Sequence, residues 1–235
     1  MTKRLLSALL LSAAAALADD LVLKFDFASG SQGWLPGFTD YHLDVAELER
    51  LAEVRRLPEE IGGNRRGYYL QGMNRSDDLF MFLKRPLTTA DGLEPNTVYS
   101  VTIDIKLASN APSNAIGVGG APGEGVYLKA GLSLLEPVTT LRGDYLGLSI
   151  DKGEQAVGGA DAGIAGNIAN GREPTPGLAD SPFVEISRVY HHPVLIKTDY
   201  RGTLWAMVGT DSAFEGLTTL YYTEIMITLR PIRTP

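Results

Sequence analysis

The chain has 235 residues, no cysteine, and 21 basic against 28 acidic residues, which gives a net charge of −7. This acidity argues against a nucleic-acid partner, which needs a basic face, and against docking on anionic lipid. Without cysteine there are no disulfides, so the stability of the fold has to come from a packed core, helped by any ion that the fold binds.

The first 18 residues have the pattern of a signal peptide. Lys3 and Arg4 form a short positive segment, residues 5–15 are apolar apart from serine, and Ala16-Leu17-Ala18 is a small-x-small cleavage pattern. The apolar run is shorter than the roughly 20 residues that a spanning helix needs. We therefore expect cleavage after Ala18, a secreted or periplasmic location, no membrane span, and one mature domain over residues 19–235.

The mature chain alternates apolar and polar residues with a period of two, which predicts half-buried β-strands. In the first of them, Leu21, Leu23, Phe25 and Phe27 share one face. Further strands are predicted at Tyr68–Met73, Leu79–Lys84, Val98–Leu107, Gly125–Leu135, Tyr145–Ile150, Val194–Lys197, Thr203–Val208 and Leu220–Leu229.

One segment, Asp44–Leu57, has a different period. Its apolar residues recur every third position with charges between them, which favours one amphipathic helix. Asp44 could cap this helix and Pro58 would end it. A packed extended arm is the alternative.

Long glycine-rich stretches at Asn110–Gly125 and Gly158–Pro182 separate the strands, and loops of that length are usually functional or mobile. Many strands, long loops and little helix predict an all-β fold, an antiparallel β-sandwich or jelly roll with at most one short helix.

Two ends of the chain resemble the galactose-binding-like jelly rolls that occur as carbohydrate-binding modules. The resemblance lies in the closing strand at residues 220–227 and in the opening strand Lys24–Phe27 with the following Gly33-Trp34. The whole chain also resembles a group of uncharacterised bacterial exported proteins, through residues 33–41, 74–82 and 209–216. These resemblances imply the sandwich fold and export.

Exposed aromatic rings are the first candidate for a binding surface, because sugar rings stack on them. Neighbouring strand residues face opposite ways, so one ring of Tyr68-Tyr69 and one of Tyr221-Tyr222 must point out of the sandwich. The alternative for aromatics at strand spacing is the core. The candidate ligand-binding residues are Trp34, Tyr41, Tyr69, Trp205 and Tyr222.

A predicted loop at Gly209–Gly216 carries two carboxylates and a hydroxyl. Asp211 and Glu215 could bind Ca²⁺ if backbone carbonyls complete the coordination shell. The same side chains could instead cap a turn. Residues 74–78 leave the same choice open.

No catalytic motif is evident. The three histidines lack a G-x-S-x-G elbow, and Gly117–Gly125 does not match a phosphate-binding loop. Two carboxylates across a cleft could hydrolyse a glycoside, with Asp211–Glu215 and Asp151–Glu154 as the nearest pairs in sequence. The sequence favours a non-catalytic domain that binds a glycan or similar polar ligand, with a structural Ca²⁺ as an option. The alternatives are a carbohydrate-active hydrolase or lyase, and a structural or adhesive surface protein.

Overall fold

The computed structural model describes residues 19–44, 49–75, 78–176 and 181–233, so the predicted signal peptide lies outside the described residues. Within these ranges the chain forms strands and two single-turn 3-10 helices, at Glu59–Ile61 and Thr89–Asp91, and no helix there is long and apolar enough to cross a membrane. The strands are β1 Leu21–Phe25, β2 Leu35–Thr39, β3 Tyr41–His42, β4 Leu51–Arg56, β5 Arg66–Met73, β6 Leu79–Leu87, β7 Val98–Ser109, β8 Val126–Ser133, β9 Thr139–Arg142, β10 Tyr145–Leu148, β11 Ala162–Asn167, β12 Val184–His191, β13 Ile196–Lys197, β14 Leu204–Ser212 and β15 Leu217–Pro231.

Two antiparallel sheets pack face to face. The seven-stranded sheet has the order β12-β7-β15-β5-β4, with β1 also paired to β15 and β13 to β7. The five-stranded sheet has the order β11-β8-β14-β6-β2, and a third sheet, β3-β10-β9, has three short strands. The prediction of an all-β antiparallel sandwich is confirmed.

The main core lies between the two larger sheets. Ile103 and Ile105 of β7 and Ile227 of β15 are fully buried against Leu128 and Val208 from the opposite sheet. Full burial of an aliphatic side chain of this size stabilises the fold by about 1.5–3 kcal/mol. The period-two pattern of these strands therefore arises because every second side chain is buried in the main core.

The five-stranded sheet is covered on its outer face as well. Phe80 and Phe82 of β6 and Met207 of β14 point away from the main core and pack against Leu148 and Ile150. We call residues 139–161, which comprise β9, β10 and the loop after them, the roof. Burial on both faces explains why residues 79–83 are continuously apolar rather than alternating.

The predicted helix at Asp44–Leu57 is wrong where the structure describes it. Residues 51–56 form β4, which pairs antiparallel with β5, while residues 45–48 lie outside the described ranges. Ala52 and Val54 pack against the main core, so the burial of this segment follows a period of two. Pairing with a neighbouring strand decides the structure here.

The predicted loop at Gly209–Gly216 is also shorter than expected. Strand β14 continues through Ser212 and pairs with both β6 and β8 up to that residue. Asp211 is therefore a strand residue in the middle of a sheet.

Candidate functional site

Asp211 lies on the outer face of the five-stranded sheet, beneath the roof. Val208 belongs to the main core and Met207 to the cluster under the roof, so alternation along β14 directs Asp211 to the roof side. Its register partners are Phe80 on β6 and Tyr127 on β8, and its side chain is fully buried. A buried carboxylate of this kind needs charged or hydrogen-bonding partners.

Two lysines supply those partners. The Lys152 ammonium, from the roof, lies 2.8 Å from Asp211 Oδ2 and 2.9 Å from Asp40 Oδ2. The Lys129 ammonium, from β8, lies 3.3 Å from Asp211 Oδ2 and donates to the carbonyls of Lys152 (2.9 Å) and Val157 (2.6 Å). The lysines thus join the roof to the sheet through buried charges.

Asp78, immediately before β6, completes an acidic triad with Asp40 and Asp211. One carboxylate oxygen from each residue lies within 4.8 Å of the others. Burial, followed by the charges of Asp211 and Asp40, raises the pKa of Asp78 to about 8. Asp78 therefore carries a proton at neutral pH.

Two buried oxygens of the triad, Asp78 Oδ1 and Asp211 Oδ1, accept no hydrogen bond from the described protein groups. The proton on Asp78 gives this pair of neighbouring carboxyl groups a donor that two carboxylates would lack. The other oxygen of Asp78 accepts from the Tyr145 hydroxyl at 3.2 Å. Burial and the nearby carboxylates raise the pKa of Tyr145, so its hydroxyl keeps its proton.

Opposite charges lie side by side within this group. The ammonium groups of Lys129 and Lys152 lie among the carboxyl groups of Asp40, Asp211 and the protonated Asp78. Burial, which opposes the charge of Lys152, is outweighed by Asp211 and Asp40, so the pKa of Lys152 is raised. Burial lowers the pKa of Lys129 and raises that of Asp40. We call these five residues together with Tyr145 the charge cluster.

The triad could hold a metal ion. Lys152, however, already lies within hydrogen-bonding distance of two of its carboxylates, so the cluster contains a cation of its own. Glu215, predicted from the sequence as the calcium partner of Asp211, is exposed and is not part of the triad. Its backbone N–H donates to the carbonyl of Val118.

A polar cavity of about 500 Å³ opens beside the charge cluster. Asp40, Asp78, Lys152 and Tyr145 line it, together with Arg142 and residues 147–154 of the roof. The Tyr145 ring meets the half-exposed ring of His42 edge to face, with 5.1 Å between centroids. The cavity thus offers carboxyl, guanidinium, ammonium and phenol groups in one place.

Asp151 and Glu154, one of the carboxylate pairs suggested by the sequence, also line this cavity. The Asp151 carboxylate accepts from the backbone N–H groups of Gly153 (2.9 Å) and Ala160 (3.0 Å), which lowers its pKa. Asp151 therefore holds the shape of the roof loop.

The five aromatic candidates do not come together on one surface. Trp34, Tyr41 and Tyr222 belong to the main core, and Trp34 and Tyr222 are fully buried. Trp205 is half-buried on the roof side of β14, with the Lys84 ammonium 5.7 Å from its ring centroid.

The outward ring of the second tyrosine pair is Tyr221 rather than the predicted Tyr222. Tyr69 and Tyr221 face away from the main core and contact each other at 4.9 Å between centroids. The Arg55 guanidinium lies 3.4 Å from the Tyr69 ring centroid, and Phe183 packs on Tyr221. Both tyrosines are buried by these neighbours and leave no open face for a sugar ring.

The sequence predicted Asp211 and Asp78 as parts of separate candidate sites, and it did not predict Asp40, Lys129 or Lys152. The only sequence signal for the lysines is their position: Lys129 interrupts an otherwise apolar strand, and an unpaired ammonium there would be costly. That signal could have predicted a buried acidic partner.

No family model and no curated protein matches the chain. Three similar solved structures are carbohydrate-binding modules. One is from the β-sandwich superfamily (14% identity, TM-score 0.39, 89% of this chain and 61% of the other), one is the mannan-recognising module TmCBM27 (14%, 0.42, 92% and 100%), and one is a xylan-binding domain from Paenibacillus barcinonensis (13%, 0.38, 94% and 100%). At these identities and TM-scores, the assignment of the fold rests on the sheet order given above. No ligand of these structures is inferred for this chain.

Proposed function

We propose that the domain binds a neutral, hydroxyl-rich ligand, a glycan, in the polar cavity beside the charge cluster. The observation that carries this proposal is that hydrogen-bonding groups of both signs lie together in that cavity, with Arg142 and Lys152 beside Asp40, Asp151 and Glu154. Sugar hydroxyls both donate and accept hydrogen bonds. Carboxylates and the guanidinium of Arg142 match those two roles.

The fixed position of the cavity groups supports the same conclusion. Lys152 is held by Asp40 and Asp211, and Tyr145 is held by Asp78. Side chains that are already ordered lose little freedom when a ligand binds. The Tyr145–His42 ring pair gives the cavity an aromatic edge.

Binding of neutral polysaccharides tests the proposal directly. Mannan and xylan would be titrated by calorimetry and affinity electrophoresis, with anionic polygalacturonate as the charge comparison. We expect binding of at least one neutral polymer, and weakening of about tenfold in Arg142→Ala and Tyr145→Phe, because each removes a hydrogen-bonding group. Arg172→Ala and Tyr200→Phe are matched controls, since both residues are exposed and do not line the cavity.

Two results would contradict the proposal. One is the absence of heat and retention with neutral glycans across a broad array. The other is equal weakening in the cavity variants and in their matched controls.

A second function is favoured by one observation. Asp78 carries a proton at neutral pH and lies beside Asp40, and glycoside cleavage requires two neighbouring carboxyl groups of which one is a protonated acid. An enzyme of this kind would release new chain ends from a bound polysaccharide. Asp78→Asn would then abolish release while binding persists, whereas a pure binding domain shows no release at any pH.

We also propose that the mature domain acts outside the cytoplasm, on the pattern of residues 1–18. Expression in a bacterial host should give a periplasmic or secreted product whose first residue is Asp19. Intact-mass measurement of the exported protein checks this. A product that retains residues 1–18 would contradict it.

A further inference from the structure

A second cavity, of about 610 Å³, lies at the end of the sandwich where β7 and β14 finish and β8 and β15 begin. Its lining shares no residue with the polar cavity, and none of its lining residues is charged. Phe214 forms an apolar wall, Pro112 and Pro174 add rigid ones, and the fully exposed Ile116 also lines the cavity. The volume is within the range of about 300–1,000 Å³ typical of small-molecule sites.

The floor of this apolar cavity reaches the main core. Ala111 and Ile168 line the cavity and also belong to the core cluster. Core residues therefore form the floor of the cavity, and a bound apolar group would extend the core. Apolar surface removed from water in this way is the main source of affinity for such ligands.

One polar group in the cavity lacks a partner. Thr218 is only 4% exposed, lines the cavity, and its hydroxyl makes no hydrogen bond with the described protein groups. The neighbouring Thr219 hydroxyl, by contrast, donates to Asn110 at 3.1 Å. A buried hydroxyl without a partner is costly. The oxygen has almost no accessible surface, so Thr218 has to rotate about χ1 for a ligand to bond the hydroxyl and remove that cost.

The cavity walls are already in place. A Cβ on Gly117 would lie 2.6 Å from the Phe214 ring, and one on Gly216 only 2.2 Å from it. Both glycines therefore pack directly against the ring, with no room for a side chain. Asn114 is held by Glu124 and Glu173 through hydrogen bonds of 3.0 and 2.9 Å. The glycine-rich loop thus shapes the wall.

We propose that this cavity binds a small, uncharged molecule with an apolar ring and a single hydroxyl or carbonyl group, which pairs with Thr218. An oligosaccharide does not fit this description, because most of its hydroxyls would lie unpaired against apolar walls. The site is therefore additional to the polar cavity.

The test compares 2-naphthol with naphthalene, which differ by one hydroxyl, as ligands of the full chain. We expect saturable binding of both, measured by fluorescence and calorimetry. In Thr218→Val, we expect the preference for 2-naphthol over naphthalene to fall by about five- to tenfold, because the hydroxyl partner is gone. Thr210→Val is the matched control, since Thr210 also has a buried, unpartnered hydroxyl but does not line the cavity.

A second variant tests the location without touching the core. Ala115 is a partly exposed wall residue, and Ala115→Trp should fill the cavity and weaken both probes by tenfold or more. Saturable binding of neither probe, an equal loss of preference in Thr218→Val and Thr210→Val, or unchanged binding in Ala115→Trp would each overturn the proposal. The glycan-binding test uses variants of Arg142 and Tyr145, which do not line this cavity, so the two proposals can fail independently.

Discussion

Replacing Asp78 by asparagine should change how stability depends on pH. The folded protein holds the Asp78 proton up to a pH of about 8, whereas an unfolded aspartate loses it near pH 3.9. Between these values the unfolded chain binds fewer protons than the folded one, so the free energy of unfolding falls as the pH rises. Asparagine resembles the protonated acid and does not titrate, so Asp78→Asn should lack this decline.

The size of the effect follows from the pKa difference. One pKa unit corresponds to about 1.4 kcal/mol, which sets an upper limit of about 4 kcal/mol lost between pH 5 and pH 8. Asp78 is partly exposed at the cavity, and solvent screening reduces this figure to about 2–3 kcal/mol. The difference in unfolding free energy between Asp78→Asn and wild type should grow by that amount, in favour of the variant.

Urea unfolding at pH 5, 6, 7 and 8, followed through the buried Trp34, measures the difference. Titrations of groups that do not interact with Asp78 cancel between variant and wild type. Asp104→Asn, on the outer face of the seven-stranded sheet, is the matched control for the exchange of an aspartate for an asparagine. Parallel curves for Asp78→Asn and wild type would refute the reasoning, as would a gap that narrows toward pH 8.

Three further predictions concern single side chains. Lys152→Met should lower the free energy of unfolding in urea by about 3–5 kcal/mol, because it leaves buried carboxylates uncompensated. Millimolar Ca²⁺ should raise the melting temperature of this variant but not that of wild type. Equal responses to Ca²⁺ would contradict the view that the Lys152 ammonium is the resident cation. Gly216→Ala should cost about 1–3 kcal/mol, because its methyl meets the Phe214 ring; unchanged urea stability would contradict this. Tyr222→Phe should be neutral or stabilise by about 1 kcal/mol, because it removes a fully buried hydroxyl that has no partner among the described groups; a clear loss in thermal unfolding would show a hidden partner.

Strands with regular alternation were predictable from sequence, and those whose environment changes along the strand were not. Strand β7 alternates over its whole predicted length, since one face meets the core. Residues 51–56 contain apolar residues at a spacing that also suits a helix, and only pairing with β5 selects the strand. The orientation of Tyr222 depends on which sheet face meets the core, which no local pattern specifies.

The charge cluster was less predictable than the fold. Sheet register places Lys129, Tyr145 and Asp211, whereas Asp40, Asp78 and Lys152 lie in segments between strands. Their sequence separations differ between pairs and follow no motif. The sequence indicates a contact only for Lys129 in the apolar strand β8 and Asp211 in β14, because each of these charges needs a partner when it is buried.

The place of β15 in the seven-stranded sheet has a consequence for the order of folding. Its first half is bonded to β5 and its second half to β1, while β7 runs along its other edge. Asp20, just before β1, forms a two-bond ion pair with Arg230 near the end of β15. Contacts between such distant positions close late, because bringing them together costs the most chain entropy. A chain that emerges from its amino end first cannot complete this sheet until residues 217–231 have arrived, so until then β1, β5 and β7 lack the strand that all three pair with.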